Sequence, residues 1–278
     1  MVMGSDEAVS DTLPHNKRKS QFMKNHTVMV EPLCIPFLLE EKQIESRNEV
    51  VRDAHAQVMS GKIVILKHAF EAEEMARFKA KIIQWGDEND VFPHGQSPSQ
   101  FPELNYHRID DGSVPSVCPH LFHQYGFNNI NALKPEYKEL FNKVTSRLVC
   151  IQNAIGNTSF GVSLTGLRLK VIQYPEGGGF LAEHTHPLEP QKIGLILSLS
   201  RRKMDFTEGA AVFTTPAGNV DTASYHDIGD VAIFRYDLPH AVSKVNPYIP
   251  SIDWKKDTGK WSVVLELRET HGLSHNKN

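Results

Sequence analysis

The sequence predicts an α+β protein with a mainly β core, in which N-terminal helices pack against a β-sandwich or barrel. Two observations lead to this prediction. Two segments in the first 160 residues repeat apolar residues every three or four positions, which is typical of amphipathic helices. From Ser163 onward, short β-rich runs follow one another, separated by turn residues. Helices first and strands after indicate helices packed on a sheet, rather than an alternating parallel fold.

The composition is that of a soluble globular protein. Of 278 residues, 40% are hydrophobic and 23% are charged. The formal net charge of −3 argues against a broad basic face for nucleic acid, and no apolar run approaches a membrane span. Three widely spaced cysteines and a polar N-terminal segment predict a protein of the reducing cytoplasm without a secretory signal. We therefore expect no nucleic-acid or membrane partner, and the oligomeric state stays open.

The N-terminal elements are expected in the following order. Residues 1–26 are polar and aperiodic, which indicates a flexible tail before a single domain over residues 27–278. A polar, helix-favouring segment spans Glu40 to Met59. A β-branched strand over Lys62–Lys67 follows, and then an amphipathic helix over Glu71–Trp85.

The middle and C-terminal parts differ in regularity. Residues 87–134 are rich in Pro, Gly, Asn and Asp, and this composition predicts a long irregular stretch. A loop of that length inside a compact chain usually has a function. Pro135 opens the clearest helix, which Gly156 ends. The strands predicted after it are Leu167–Tyr174, Lys192–Leu199, Ala210–Thr215, Asp230–Tyr236, His240–Val245 and Trp261–Leu267.

Three of the 14 histidines have the spacing of a metal site. His184 and His186 are two residues apart, so on an extended segment their imidazoles point to the same face. His240 begins another predicted strand. Three ligands with open positions suit a divalent iron that binds substrate and oxygen. A His-x-His pair by itself is more often a packed or surface pair, so the flanking residues decide the interpretation.

Those flanking residues resemble the iron(II)/2-oxoglutarate-dependent oxygenases, in particular their phytanoyl-hydroxylase-like and prolyl-hydroxylase-like members. The similarity covers roughly residues 163–268 and rests on the order and spacing of several short motifs. The matching residues are Tyr174, Gly178, Gly179, His184, the segment Asp205–Phe213, Gly229, Asp230, Ile233, Phe234, His240, Val242, Lys260 and Ser262.

The resemblance implies a double-stranded β-helix, the jelly roll of cupin-like proteins, packed by the N-terminal helices. It also implies an oxidoreductase that hydroxylates or otherwise oxidises a small molecule with O2 through a ferryl intermediate. Its cofactor is Fe(2+), and 2-oxoglutarate is the co-substrate. The catalytic, metal-binding residues it implies are His184, His186 and His240, and the residues for 2-oxoglutarate are Lys260, Ser262 and Tyr174.

Two departures from the family pattern stand out. His186 occupies the position of a carboxylate ligand, so a three-His site would be a full charge more positive. The alternative is that a nearby acid completes the triad, and the candidates are Glu183, Glu189, Asp227 and Asp237. In addition, Lys260 follows His240 at a longer distance than usual, and residues 246–259 have the composition of an inserted loop.

The co-substrate residues follow a chemical logic of their own. The far carboxylate of 2-oxoglutarate needs a cation and accepts a hydroxyl hydrogen bond. Lys260 and Ser262 are two apart on one strand, so they face the same way. The alternatives are an ordinary turn lysine at 260, with Arg268 as the cation, and a core role for Tyr174.

Other polar residues are weaker candidates. Mixed polar and aromatic residues on loops over a scaffold commonly contact substrate. The contacts expected here are Tyr106, His107, Arg108 and Phe122. His120 and His123 would share a helix face, but no third metal ligand is evident. Lys170 is expected to face solvent, and the orientation of Arg168 stays open.

Two other functions remain open. A cupin-type dioxygenase with three histidines would bind substrate directly to the metal and would not use 2-oxoglutarate. A non-catalytic binding protein on the same fold would bind no iron. Replacement of Lys260 distinguishes the 2-oxoglutarate enzyme from the cupin-type dioxygenase, because only the former needs that cation. The substrate stays open between a free amino acid, a natural-product intermediate and a carrier-bound group, and so does the choice between hydroxylation, desaturation and cyclisation.

Overall fold

The computed structural model describes residues 27–30, 49–89, 91–92, 105–110, 118–161 and 167–267. The predicted tail over residues 1–26 and the alternative cation Arg268 lie outside these ranges.

In the described ranges, three α-helices are found. They are α1 (Glu49–Met59), α2 (Ala72–Asp87) and α3 (Pro135–Gly156). The predicted helices that begin at Glu71 and Pro135 are confirmed, as is the part of the segment Glu40–Met59 from Glu49 onward, whereas residues 40–48 lie outside the described ranges. α3 begins with a proline in its first turn, where no N–H is needed, and ends at Asn157 in the left-handed conformation. Within the described ranges, no helix combines the length and the apolar character that crossing a bilayer requires.

Thirteen strands are found in the described parts of the chain. In order they are β1 (Thr27–Val30), β2 (Ile63–Leu66), β3 (Val91–Phe92), β4 (Asn105–Asp110), β5 (His120–Phe127), β6 (Leu167–Tyr174), β7 (Gly179–His184), β8 (Ile193–Ser198), β9 (Ala211–Thr215), β10 (Gly218–Asp221), β11 (Val231–Arg235), β12 (His240–Val245) and β13 (Lys260–Leu267).

The strands form two sheets that share β5. The first runs in the order β1-β2-β11-β8-β13-β6-β5-β4-β3, and the second in the order β5-β7-β12-β9-β10. The β1–β2 and β3–β4 pairs are parallel, and the remaining pairs are antiparallel. The sheet therefore turns back on itself through β5 and encloses an interior.

Strand β13 of the first sheet separates two kinds of packing. On β13, Trp261, Val263 and Leu265 face the helices and join the large core that α1, α2 and α3 cover. Val264 faces the other way and packs against two smaller clusters inside the barrel. The alternation is that of a strand buried on both faces. Ser262 is on the same inner face, so this face is the one that a site can use.

Residues 87–134 are more regular than the sequence predicted. They contain β3, β4, β5 and a 3₁₀ helix over Ile130–Ala132. The prediction was wrong because β4 has polar residues at many positions, which masks the alternation of a half-buried strand. His120 and His123 lie on β5 and not on a helix, so they point to opposite faces. The second metal site considered for them does not form among the described residues.

A tight junction joins β2 to the turn before β11. Gly229 has a positive φ of 84°, and a Cβ there would lie 2.3 Å from the carbonyl oxygen of Phe70. The buried Asp230 carboxylate accepts hydrogen bonds from the N–H groups of His68 and Asp227, both at 2.9 Å, and pairs with Lys67. The Gly-Asp pair thus has a structural role at this junction.

Candidate metal centre and co-substrate site

The three histidines of the sequence pattern lie together at one end of the barrel. His184 ends β7, and it lies directly across from His240, which begins β12. His186 follows β7. One ligand-type atom from each ring lies within 4.8 Å of the others. In the described part of the chain, no carboxylate joins this group, so the donors gathered here are three imidazoles.

Backbone hydrogen bonds select the tautomer of two of these rings. His184 Nδ1 lies 3.0 Å from the carbonyl oxygen of Ala182, and His240 Nδ1 lies 2.9 Å from that of Leu238. A carbonyl oxygen can only accept, so each Nδ1 carries the hydrogen and donates it. Nε2 is then the atom of both rings that could bind a metal, an arrangement like that of metal-binding histidines in proteins.

Aromatic side chains surround the histidines. The rings of Phe234 and His240 lie 4.6 Å apart, and the ring of His186 stacks on Tyr236 at 4.3 Å and 13°. Burial, and then the neighbouring His184, lower the pKa of His240 well below its usual value. The neutral imidazole that results is the form that binds a metal.

The alternative acidic ligands have other partners. Glu183 accepts a hydrogen bond from Thr214 Oγ1 at 2.8 Å, and Asp237 one from Arg235 Nε at 2.6 Å. Asp227 Oδ1 accepts hydrogen bonds from two backbone N–H groups. None of these acids, nor Glu189, belongs to the cluster of potential ligands among the described residues.

Lys260 and Ser262 lie on the inner face of β13 with unused hydrogen-bonding capacity. Lys260 is 2% exposed, and its Nζ lies 5.4 Å from the centre of the Phe206 ring. Within the described ranges, Nζ makes no hydrogen bond or ion pair, and the buried Ser262 Oγ has no hydrogen-bond partner. Tyr174 is the cross-strand partner of Lys260 and is also buried. A carboxylate entering the barrel would satisfy both groups, so the residues fit 2-oxoglutarate.

His226 is a further buried polar residue near Lys260, which the sequence patterns did not indicate. Its Nε2 donates to the carbonyl oxygen of Asp230 at 3.1 Å, and its buried Nδ1 has no partner among the described residues. Burial, and then the charge of Lys260, lower the pKa of His226 to about 3. Burial also lowers the pKa of Lys260 to about 8, against the opposing effect of the charges of Asp221 and Asp227.

Three of the four expected substrate contacts face the interior or its rim. Tyr106 lies across Gly126, and its hydroxyl accepts a hydrogen bond from Gln124 at 2.6 Å. Phe122 makes an edge contact with Tyr174, with ring centres 6.0 Å apart. Arg108 pairs with the buried Asp110 on the same face of β4.

His107 is not brought together with these residues. Its ring stacks on Tyr125 at 5.4 Å and contacts Trp85 on the helix-facing side of the sheet. Its nitrogens lie 3.0 Å from His123 Nε2 and 2.6 Å from the carbonyl oxygen of Asn89. The adjacent position on a strand points to the opposite face, which is why His107 and Arg108 separate.

Lys170 also differs from expectation. It does not extend into solvent but forms an ion pair with Glu266, with 2.5 Å between Nζ and Oε2. Both side chains are largely buried, and both lie on the inner faces of their strands. The polarity of lysine indicates an exposed position, and the sequence contains no local signal that Glu266 would face it.

Proteins of known structure share this architecture. The chain is similar to a Pseudomonas putida prolyl-4-hydroxylase, with a TM-score of 0.52 and 11% identity over 78% of this chain and 98% of that one. It is similar to the non-heme alpha ketoglutarate dependent epimerase SnoN of nogalamycin biosynthesis, with a TM-score of 0.51 and 10% identity over 78% and 81% of the two chains. SnoN in complex with Fe3+, alpha ketoglutarate and nogalamycin RO matches with a TM-score of 0.50 and 10% identity over 77% and 82%.

The comparisons of sequence, unlike those of structure, gave no match. No protein-family model matches the chain, and no curated protein sequence matches it significantly. At 10–11% identity the structural similarities show the fold alone. The chain therefore has the double-stranded β-helix fold, as the sequence predicted.

Proposed function

We propose that this protein is a non-haem iron(II) oxygenase that uses 2-oxoglutarate and O2 to hydroxylate, or otherwise oxidise, a small molecule. The residues assigned to iron are His184, His186 and His240, and those assigned to 2-oxoglutarate are Lys260, Ser262 and Tyr174. The proposal includes a site with three neutral imidazole ligands and no carboxylate.

The buried ammonium of Lys260 is the observation that supports the proposal most strongly. An unpaired charge inside a protein is costly, so a buried cation without an anionic partner indicates a ligand of opposite charge. A dicarboxylate that chelates the metal at one end would place its far carboxylate in the barrel interior. Lys260 and Ser262 offer that carboxylate a cation and a hydroxyl on one face of one strand.

The roles of the residues follow from their positions. The three imidazoles hold iron through ring nitrogens, and backbone hydrogen bonds orient the rings of His184 and His240. Lys260 and Ser262 bind and orient 2-oxoglutarate by its far carboxylate. Phe213, Phe234 and Tyr236 are buried around the histidines and exclude water. Once bound, iron and 2-oxoglutarate supply the oxidising chemistry, and the protein supplies binding, orientation and shielding.

An anaerobic titration tests this function. Metal-free protein is titrated with iron(II), with and without 2-oxoglutarate, and the visible metal-to-ligand charge-transfer band is recorded. We expect a band that needs both components and that K260A reduces strongly. K244A is the matched control, because Lys244 is an exposed lysine on β12, and its band should equal that of the unaltered protein.

The other outcomes are equally informative. Iron binding without a band for 2-oxoglutarate would contradict the proposal and favour a three-His dioxygenase whose substrate binds the metal directly. Failure to bind iron at all would favour a non-catalytic binding protein. A band of equal strength in K260A would remove Lys260 from the co-substrate site.

A further inference from the structure

The ring of His226 is held beside the strands that carry the co-substrate residues. Ser198 of β8 and Ser262 of β13 are cross-strand partners, and both are buried. Lys260 precedes Ser262 by two residues and so shares its face. The backbone N–H of Ser198 donates to the carbonyl oxygen of Asp230, and His226 Nε2 donates to the same oxygen at 3.1 Å. The register of three neighbouring strands therefore places the ring in the region of Lys260 and Ser262.

The hydrogen bond to Asp230 determines which nitrogen of His226 is an acceptor. A carbonyl oxygen can only accept, so Nε2 carries the hydrogen and Nδ1 of the neutral ring has a lone pair. Burial, and then the charges of Lys260 and Lys67, lower the pKa of this ring to about 3, against the opposing effect of the carbonyl groups of Asp230 and Ile196. The ring is therefore neutral at physiological pH, with an acceptor at Nδ1.

Three buried polar groups of this region have no hydrogen-bond partner among the described residues. They are Lys260 Nζ, Ser262 Oγ and His226 Nδ1. Ser198, the neighbour of Ser262, differs because its Oγ donates to the carbonyl oxygen of Ser200 at 3.2 Å. Buried polar groups are unfavourable without partners, so three of them in one region indicate a ligand.

The hydrogens of these groups determine how a carboxylate fits between them. The ammonium of Lys260 has three N–H groups and the hydroxyl of Ser262 has one hydrogen, whereas His226 Nδ1 and a carboxylate can only accept. Two acceptors cannot bond to each other, so the ammonium must lie between the carboxylate and His226. The hydroxyl hydrogen of Ser262 then goes to the carboxylate.

We propose that His226 is a positioning residue of the co-substrate site, whose Nδ1 accepts one N–H of Lys260 while the far carboxylate of 2-oxoglutarate accepts the others. The ammonium is then held from two sides and directed at the carboxylate. The inference rests on the proposed role of Lys260 in binding 2-oxoglutarate. The other charges that act on Lys260 are those of Asp221 and Asp227, and neither forms an ion pair with it among the described residues.

Two substitutions separate this role from a merely structural one. Glutamine reaches the position of Nε2, so His226→Gln keeps the donor for Asp230 and lacks an acceptor at the position of Nδ1. Asparagine reaches only the position of Nδ1, so His226→Asn keeps an acceptor for Lys260 and loses the bond to Asp230. We expect H226Q to weaken 2-oxoglutarate binding about tenfold or more, and H226N to stay within about threefold of the wild type. A structural role predicts the reverse order.

The affinity for 2-oxoglutarate is measured in two ways on the full chain. One is the charge-transfer band with iron(II) under anaerobic conditions, and the other is calorimetry on metal-free protein. Iron(II) alone should bind equally to H226Q, H226N and the wild type, because His226 is not one of the proposed metal ligands. The control is H68Q at an exposed histidine, which should bind 2-oxoglutarate as the wild type does. Circular dichroism establishes that each variant is folded.

The wild type provides a test that does not depend on the folding of a variant. In uniformly ¹³C,¹⁵N-labelled, metal-free protein, the ¹⁵N resonance of His226 Nδ1 should be that of a nitrogen without a hydrogen. It should move when 2-oxoglutarate is added, because Nδ1 then accepts a hydrogen bond. A resonance that does not move would overturn the inference. A protonated Nδ1 in the complex would do the same, since His226 would then donate directly to the carboxylate.

The remaining outcomes separate this inference from the proposed function. Equal affinity of H226Q and the wild type, or a loss in H226N as large as that in H226Q, would overturn the role of His226. A wild type that binds 2-oxoglutarate in calorimetry but gives no band would refute the iron-dependent function, while the two variants would still decide the role of His226. Absence of 2-oxoglutarate binding with and without iron(II) would refute both.

Discussion

Lys260 keeps its ammonium group inside the barrel, where burial lowers its pKa to about 8. Only the protonated form pairs with a carboxylate, and the carboxylates of 2-oxoglutarate stay ionised at neutral and basic pH. The affinity for 2-oxoglutarate should therefore be constant below pH 8 and fall as pH rises above it, by about tenfold per unit. Titration of the charge-transfer band between pH 6.5 and 9.5 measures this.

The control for that profile is S262A. It removes a neutral hydroxyl, so it should weaken 2-oxoglutarate binding by a similar factor at every pH and leave the midpoint of the profile in place. A wild-type affinity that does not change up to pH 9.5 would show that Lys260 is not the cation for the co-substrate.

The same lysine should reduce the stability of the protein without its ligands. Its pKa falls from 10.5 to about 8 on folding, so the unfolded chain binds the proton more tightly. This destabilisation, on the order of 3 kcal/mol, is fully present below pH 8 and disappears as pH rises through 10.5. K260M should therefore unfold at higher denaturant concentration than the wild type at pH 7, with the difference shrinking towards pH 10. A less stable K260M at pH 7 would contradict the burial of an unpaired charge.

At the residue scale, sequence patterns indicated the proposed ligands better than the other residues that line the barrel interior. His184, His186, His240, Lys260 and Ser262 belong to short motifs with fixed spacing, and the structure brings the three histidines together. The other residues that line the barrel interior do not belong to motifs of fixed spacing. Lys170 and Glu266 are distant in sequence and meet only because β6 and β13 pair in register. The burial of His226 and the orientation of His107 towards the helices also depend on contacts between residues that are distant in sequence.

At the element scale, two glycines with positive φ should respond differently to alanine. Gly229 precedes β11, and a Cβ there would lie 2.3 Å from a backbone oxygen that cannot move freely. G229A should cost more than about 3 kcal/mol of stability, since backbone strain and a steric clash add. Gly178, with φ of 109° and no atom within 4 Å of its Cβ position, provides the control.

G178A should cost about 1 kcal/mol, the strain of the left-handed conformation alone. Urea unfolding of both variants measures the difference. Equal losses would mean that the contact between Gly229 and Phe70 does not constrain the junction of β2 with β11.

Elements with a clear apolar period were predictable, and polar strands were not. The helices of residues 72–87 and 135–156 bury one face against the sheet, and this leaves a repeat of three and four. β11 and β8 are apolar runs buried on both faces. β4 and β5 combine a helix-facing side that includes histidines with an inner side that includes polar residues, so neither period appears.

At the scale of the whole molecule, the sheet separates an outer core from an inner one. Phe141 of α3 is fully buried in the outer core, where its ring lies 4.4 Å from Phe127. Phe234 is buried in the inner core beside His240. F141A and F234A should each lower the free energy of unfolding by about 3–5 kcal/mol.

The two variants should differ in iron binding. Folded F141A should bind iron(II) with unchanged affinity, because its cavity lies outside the barrel, whereas F234A should bind it more weakly. Anaerobic iron titration with detection of the charge-transfer band distinguishes them. Weakened iron binding in F141A would mean that the helices help to shape the metal centre through the sheet.

The pairing of His184 with His240 has a topological consequence. These neighbours in space are 56 residues apart in the chain, and β8, β9, β10 and β11 all lie between them. An ion held by both rings closes this stretch into a loop, and closing a loop of that length restricts the unfolded chain in the way that a disulfide does. Iron at this position would act as a reversible cross-link, so the supply of the metal would set how firmly the second half of the barrel is held together.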